Sequence, residues 1–140
     1  MHAVRPAAIS TPFRLPIRVY WEDTDAGGVV FYANYLKFFE RARTEWLRCF
    51  GFEQQRLREQ SGAIFVVSEA RIKYHKPARL DDALIITVVL KEPGRASWQF
   101  SQQAFHDETL LCEADLRVGC VDPLTFRPRR IPCEITERLT

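Results

Sequence analysis

The chain has 140 residues, the length of one domain with a substantial hydrophobic core. Its composition, 46% hydrophobic and 27% charged, is typical of a globular soluble protein, and its net charge of +2 is too small to indicate nucleic acid or an anionic membrane as a partner. No stretch reaches about 18 apolar residues, so no membrane-spanning segment is predicted. We expect a cytoplasmic protein with a flexible tail at residues 1–14 and a single domain at residues 15–140.

The cysteines and histidines are not spaced like metal ligands. There is no CxxC pair, and none of the three histidines is near a cysteine in the sequence. We therefore expect no metal site and buried free thiols in a reducing compartment. The cysteines are Cys49, Cys112, Cys120 and Cys133.

The predicted domain begins with alternating apolar residues. Ile17, Val19 and Trp21 alternate with polar neighbours, which predicts a half-buried strand. The segment Asp23–Gly28 then predicts a turn, because two successive glycines and short acidic residues favour tight backbone geometry.

From Asn34 the apolar residues follow a helical period. So much aromatic bulk on one stripe predicts a helix buried against a sheet. Gly51 is suited to the left-handed position that follows such a helix, and residues 53–60 predict a second, more polar helix. The stripe consists of Tyr35, Phe38, Phe39, Ala42, Trp46 and Cys49.

Four further strands are predicted at residues 66–74, 83–90, 96–105 and 110–121, after which three prolines interrupt the C-terminal segment. The fold class is therefore α+β, with one long helix on an antiparallel sheet. One helix covers only one face of a sheet and leaves its edges open, so we expect a homodimer that pairs through an edge strand.

Asp25 is the leading candidate for catalysis. It lies on a short loop before a helix whose first backbone N–H groups have no partner within the helix. A carboxylate beside such an anion hole suits hydrolysis of an activated carbonyl. Alternatively, Asp25 is an Asx-turn residue that only stabilises the loop, and Asp23 competes for the catalytic role.

Three segments, Arg18–Val30, Asn34–Glu45 and Lys76–Asp82, resemble the hot-dog-fold acyl-CoA thioesterases. The similarity is strongest to the Tol-Pal-associated YbgC-like group, alongside the 4-hydroxybenzoyl-CoA thioesterases. The resemblance implies a long central helix wrapped by an antiparallel five-stranded sheet, and dimers with a continuous sheet that often form tetramers as dimers of dimers. It also implies active sites at the dimer interface and no metal or organic cofactor.

The same resemblance implies that Asp25 is the catalytic carboxylate, as nucleophile or general base, and that the backbone N–H of Tyr32 polarises the thioester carbonyl. Relatives of the YbgC-like group commonly have a histidine where this chain has Tyr32. The basic cluster that relatives place against the CoA phosphates is reduced here to Arg95. The predicted substrate-binding residues are Gly28, Val30, Ser68, Lys76 and Arg95.

Two functions of different classes follow. The first is hydrolysis of small acyl- or aroyl-CoA thioesters to free acid and CoA. The second is a non-catalytic adaptor, binding an acyl carrier protein or associated with the cell envelope, that retains the fold. The adaptor hypothesis predicts that the Asp25 carboxylate is dispensable.

Overall fold

Five strands form one antiparallel sheet in the computed structural model, which describes residues 12–139. The strands lie side by side in the order β1-β3-β4-β5-β2. Their bounds are β1 Phe13–Arg18, β2 Ile64–Tyr74, β3 Ala83–Pro93, β4 Ser97–His106 and β5 Thr109–Val121, and the α-helices are α1 Tyr35–Cys49, α2 Gln54–Ser61 and α3 Cys133–Leu139.

The long helix α1 packs its aromatic stripe against this sheet. Phe38, Phe39 and Ala42 are fully buried, and Trp46 meets Trp98 of β4 with ring centroids 5.9 Å apart. This confirms the predicted α+β hot-dog fold, a long helix wrapped by an antiparallel five-stranded sheet. Gly51 has a φ of 91° just past the helix, as its predicted position requires.

The first strand differs from the prediction at both ends. It includes Phe13 and Arg14, which the sequence analysis assigned to the tail, while residues 1–11 of that tail lie outside the described part of the chain. At the other end, Trp21 is not on the buried face of a strand but is 82% exposed in a 3-10 turn. The turn forms because the Asp23 side chain accepts a hydrogen bond from the Tyr20 N–H at 2.8 Å, which draws the chain out of the extended form.

The C-terminal segment contains a helix that the sequence analysis did not predict, because prolines precede it. Helix α3 starts directly after Pro132, and the Ile135 N–H donates to the Pro132 carbonyl at 3.0 Å. Proline is tolerated at a helix start because its missing N–H has no acceptor there in any case. Ile135 is fully buried, so α3 closes part of the core.

All four cysteines are free, with Cys112 and Cys120 buried as predicted, whereas the predicted burial is wrong for Cys133 and for Cys49, which is exposed at the end of the α1 stripe. Among residues 12–139, no helix has the length and apolar character needed to cross a bilayer.

A buried glutamine joins helix to sheet. The Gln102 side chain, fully buried on β4, donates to the carbonyls of Phe39 at 3.0 Å and Thr87 at 3.2 Å. Its Oε1 accepts from the Arg43 guanidinium at 2.9 Å. Burial lowers the pKa of Arg43, which shows how far this cation has been withdrawn from water.

We expect Gln102→Leu to lower the free energy of unfolding by about 3 kcal/mol, because it removes a buried hydrogen-bond donor and the acceptor of a partly buried cation. Chemical denaturation followed by tryptophan fluorescence measures the loss. The matched control is Gln99→Leu, which makes the same change at a half-buried position on the other face of β4 and is expected to alter stability by less than about 1 kcal/mol. Equal losses in the two variants would contradict the role of Gln102.

Candidate active site

Asp25 sits in a tight loop that its own side chain closes. Its Oδ1 accepts hydrogen bonds from the N–H groups of Gly27 at 2.8 Å and Val29 at 3.4 Å. The Gly28 N–H donates to the Asp25 carbonyl at 3.0 Å. Gly28 has a φ of 82°, a left-handed conformation that is unfavourable for residues with a side chain. Asp25 therefore does form the Asx turn considered above. Within the described residues, Oδ2 has no hydrogen-bond partner, so one carboxylate oxygen of this exposed residue remains open to substrate or water.

The second acid of the turn, Asp23, has a structural position. It is 4% exposed, and besides the Tyr20 N–H it accepts the side-chain amide of Asn34 at 2.8 Å. Its carbonyl also accepts the Phe31 N–H at 2.9 Å. Asp23 thus ties the start of the acidic loop to the entrance of α1, and both its oxygens are occupied.

The entrance of α1 is a 3-10 turn, Tyr32–Asn34, which runs directly into the α-helix. The Asn34 N–H donates to the Phe31 carbonyl at 2.8 Å, whereas the N–H groups of Tyr32 and Ala33 come too early in the turn to find an acceptor inside it. Phe31 provides no side-chain cap. These N–H groups, with the positive end of the α1 dipole behind them, are available to a substrate oxygen.

The loop hairpin keeps Asp25 close to this entrance. The Asp25 N–H donates to the Val29 carbonyl at 2.8 Å, and Thr24 pairs with Val30 in an antiparallel bridge. Because Val29 is three residues before Tyr32, at most about 10 Å of extended chain separates the backbone beside Asp25 from the Tyr32 N–H. Within the described residues, the carboxylate bonds to Gly27 and Val29 and not to the Tyr32 N–H, so both groups belong to one short loop without pairing with each other.

Tyrosine rings line an open cavity of about 280 Å³ beside the helix entrance. Tyr35 is 3% exposed, and its hydroxyl accepts the Ala78 N–H at 3.2 Å, so this wall is rigid. Burial raises the pKa of Tyr35. Two predicted binding residues, Val30 and Lys76, line the cavity together with Tyr32, Tyr35, Tyr74, His75 and Pro77.

The remaining predicted site residues lie elsewhere in the protomer. Ser68 is the extra residue of a bulge in β2, where its hydroxyl donates to the Arg117 carbonyl at 3.4 Å. Arg95 is exposed in the turn after β3, whereas Lys76 precedes that strand, so the roughly 33 Å length of β3 separates them along the sheet. The structure therefore brings Asp25, Gly28, Val30, Tyr32 and Lys76 to one end of the sheet and leaves Ser68 and Arg95 away from it.

The sequence analysis missed two functional neighbours of this end. Tyr74 lines the cavity and contacts the helix entrance, but in the sequence it is one alternating residue of a strand. The Asp23–Asn34 pair spans eleven residues, a separation with no local signature.

Burial raises the pKa of the Cys112 thiol nearby to about 12, so it stays protonated and is no nucleophile. Within residues 12–139, no cluster of three or more acidic, histidine or cysteine side chains is arranged to hold a metal ion.

Comparison with known proteins identifies the family of this chain. A family model described as the thioesterase-like superfamily matches residues 19–139. The acyl-CoA thioester hydrolase YbgC of Escherichia coli is 50% identical over 127 residues, which are 90% of this chain and 94% of that protein. The acyl-CoA thioesterase YbgC of Haemophilus influenzae is 45% identical over 88% of this chain and 90% of that protein. A crystal structure of a probable thioesterase from Bartonella henselae superposes with a TM-score of 0.83 at 34% identity, covering 87% of this chain and all of that one.

We expect Asp23→Ala to lower the free energy of unfolding by about 3 kcal/mol, because the Tyr20 N–H and the Asn34 amide lose a charged, buried acceptor. Urea denaturation measures the change. The control is Glu22→Ala, which removes a carboxylate from the exposed neighbour and is expected to change stability by no more than about 0.5 kcal/mol. If the two variants unfold at the same urea concentration, Asp23 does not hold the loop to the helix.

Proposed function

This chain belongs to the thioesterase-like superfamily, and on that premise we propose that it hydrolyses acyl-CoA thioesters to the free acid and CoA. The observation that carries the proposal is the pairing of Asp25 with the helix entrance. A carboxylate with one open oxygen is held by its own turn against the Val29 backbone, which at most about 10 Å of extended chain separates from the Tyr32 N–H. The names of the two YbgC relatives, at 50% and 45% identity, support the same activity.

The chemistry needs few groups because a thioester is already activated. Either Asp25 attacks the carbonyl carbon and forms a mixed anhydride that water opens, or it takes a proton from a water that attacks the same carbon. In both routes negative charge develops on the carbonyl oxygen, and the Tyr32 N–H, backed by the dipole of α1, stabilises it. In the first route the CoA thiolate leaves as the anhydride forms, before water opens it, and in the second it leaves as the tetrahedral intermediate formed by water collapses; in both it takes up a proton.

The cavity beside the helix entrance favours a small acyl or aroyl group. Its volume of about 280 Å³ lies at the lower end of small-molecule sites. Three of its walls are tyrosine rings, which suit an apolar or aromatic group, and Lys76 adds a positive charge at the rim. Val30, only 4% exposed, adds an apolar side chain to the lining.

We further propose a homodimer in which the two β2 strands pair antiparallel. Within the described residues, β2 is an edge strand that pairs only with β5, and its residues from Val67 to Arg71 are exposed in the protomer. A long edge with apolar side chains such as Val67, 46% exposed, invites pairing, and two-fold symmetry makes that pairing self-complementary. A tetramer built from two such dimers is the proposed assembly.

This dimer would explain how Arg95 could contact a substrate. In the protomer, Tyr74 ends β2 at the catalytic end of the sheet, and Arg95 lies at the opposite end. Antiparallel pairing of the two β2 strands reverses the direction of the partner's sheet, so the partner's Arg95 would lie at the catalytic end. It would be about 15 Å from β2, a distance of three strand spacings. We propose that it contacts the phosphates of CoA there, while the pantetheine arm reaches across to Asp25. Where an acyl carrier protein replaces CoA, the same cation would meet the carrier.

We expect Asp25→Asn to reduce kcat on acyl-CoA by at least about 100-fold, because the amide neither attacks the carbonyl nor accepts a proton. The substitution keeps an oxygen that can accept the Gly27 and Val29 N–H groups, so the turn and the melting temperature should survive. Release of CoA from a panel of acyl- and aroyl-CoAs, detected as free thiol, measures the rate. Glu22→Gln, a carboxylate-to-amide change at an exposed neighbour, is the control. Turnover by Asp25→Asn at the wild-type rate would overturn the catalytic assignment and favour the adaptor function.

We expect Arg95→Glu to raise KM for acyl-CoA at least about fivefold and to leave kcat/KM unchanged for the N-acetylcysteamine thioester of the same acid, which lacks every phosphate. The control is Arg56→Glu, the same charge reversal on the exposed face of α2. Raised KM for both substrates would contradict a phosphate contact.

Mixing tests whether Arg95 acts across the interface. Heterodimers of Asp25→Asn and Arg95→Glu protomers contain one site with an intact Asp25 and an intact Arg95 from the partner. At low acyl-CoA concentration the exchanged mixture should therefore recover about a quarter of wild-type activity. If Arg95 served its own protomer, mixing would restore nothing.

A further inference from the structure

Tyr74 makes a hydrogen bond that the proposed chemistry does not use. Its hydroxyl, at the end of β2, donates to the backbone carbonyl of Tyr32 at 2.8 Å, linking positions 42 residues apart. The carbonyl belongs to the first residue of the 3-10 turn that opens α1. The bond therefore joins the end of the edge strand directly to the helix entrance.

Two ring contacts hold Tyr74 in this position. Its ring meets that of Tyr35 at a centroid distance of 5.7 Å and that of Tyr32 at 6.3 Å, the second nearly edge to face. Tyr35 is itself fixed by the Ala78 N–H and by its burial in the core. The Tyr74 hydroxyl is thus aimed at the Tyr32 carbonyl from a rigid support.

The geometry explains what this bond does for the helix entrance. An accepted hydrogen bond fixes the orientation of the Tyr32–Ala33 peptide group and strengthens the dipole of its N–H, which belongs to Ala33. The torsion angles of Tyr32 are then restricted, and with them the direction of its own N–H. Without a donor, the Tyr32 carbonyl would be free to tilt toward the position where substrate charge develops, and its negative end would oppose that charge.

Packing alone does not account for this hydroxyl. Tyr74 is 47% exposed, so its ring adds modestly to the core, and a phenylalanine would keep the same contacts. Burial, with smaller effects from Cys112 and Tyr32, raises the pKa of Tyr74 above that of a free tyrosine. The hydroxyl therefore keeps its proton and remains a donor throughout the physiological pH range.

We propose that Tyr74 is a positioning residue for thioester hydrolysis, which holds the Tyr32–Ala33 peptide group so that the N–H groups at the helix entrance face the substrate carbonyl. This rests on the function proposed above. Tyr74 acts through the backbone of Tyr32 and contacts no reacting atom. Its contribution therefore belongs to the transition state, where charge on the carbonyl oxygen is greatest, and scarcely to substrate binding.

The kinetic test is Tyr74→Phe in the full-length protein. We expect kcat to fall roughly tenfold, KM for the same acyl-CoA to change less than about twofold and the melting temperature to change by less than about 2 °C. The control is Tyr20→Phe, which removes a hydroxyl from a tyrosine that is 60% exposed and outside this cavity, and should leave kcat unchanged. An unchanged kcat in Tyr74→Phe, or a loss matched by a large fall in melting temperature, would overturn the proposal.

A second measurement needs no turnover. In NMR spectra of the protein labelled with ¹³C and ¹⁵N, Tyr74→Phe should shift the Tyr32 carbonyl carbon upfield and speed exchange of the Asn34 amide, whose bond to Phe31 closes the 3-10 turn. Amides in the middle of α1 should not change. If the wild type hydrolyses no acyl-CoA, the proposed function fails, and these signals still decide whether Tyr74 holds the turn. Unchanged Tyr32 and Asn34 signals would refute the positioning role even if kcat fell.

Discussion

The buried carboxylate of Asp23 is the constraint on which the rest of the site depends. It is nearly withdrawn from water, and both its oxygens bond to groups on opposite sides of the acidic loop, the Tyr20 N–H and the Asn34 amide. A buried charge is tolerated only where such partners surround it, so these contacts are geometrically demanding. The exit of β1, the loop and the entrance of α1 therefore have one relative arrangement. Asp25 and the Tyr32 N–H, the groups proposed to react, take their positions from it.

The two acids of the loop differ in how many of their carboxylate oxygens are hydrogen-bonded. Asp23 has no free oxygen and serves the fold, whereas Asp25 uses one oxygen to close its turn and presents the other to solvent. An Asx turn and a catalytic acid, which the sequence presented as alternatives, are thus compatible in a single residue. The turn fixes the direction of the Asp25 carboxylate through backbone N–H groups, without placing a positive charge against its open oxygen.

The edge strand β2 connects this site to the proposed assembly. Its end carries Tyr74, whose hydroxyl reaches the helix entrance, and its exposed length is where a second protomer would pair. In the protomer the cavity is open and Arg95 lies at the wrong end of the sheet. Pairing of β2 with its copy would bring a cation to the open side, so assembly and substrate binding would share one element.

Much of the fold could be predicted from the sequence because the signals are local. The helical period from Tyr35 to Trp46, the strand alternation of β5 and the glycine turn after Asp25 each depend on neighbours within a few residues. The resemblance to thioesterases likewise rests on contiguous motifs, and it led to Asp25 and the Tyr32 N–H. The local pattern gave wrong predictions where a contact interrupted it, as at Trp21, at the start of β1, at the exposed Cys49 and where prolines precede α3.

What the sequence determined by itself was therefore the five strands, the long helix and the fold class, since periodicity encodes them directly, whereas Asp25 as the catalytic acid is a prediction that rests on the resemblance. What only the tertiary structure decided was which groups meet: Asp23 with Asn34, Tyr74 with the Tyr32 carbonyl, and Arg95 apart from the cavity. The physical reason is that hydrogen bonds between distant segments require only that two atoms coincide in space. Their residue types and separation, eleven or 42 positions, leave no periodic trace in the chain.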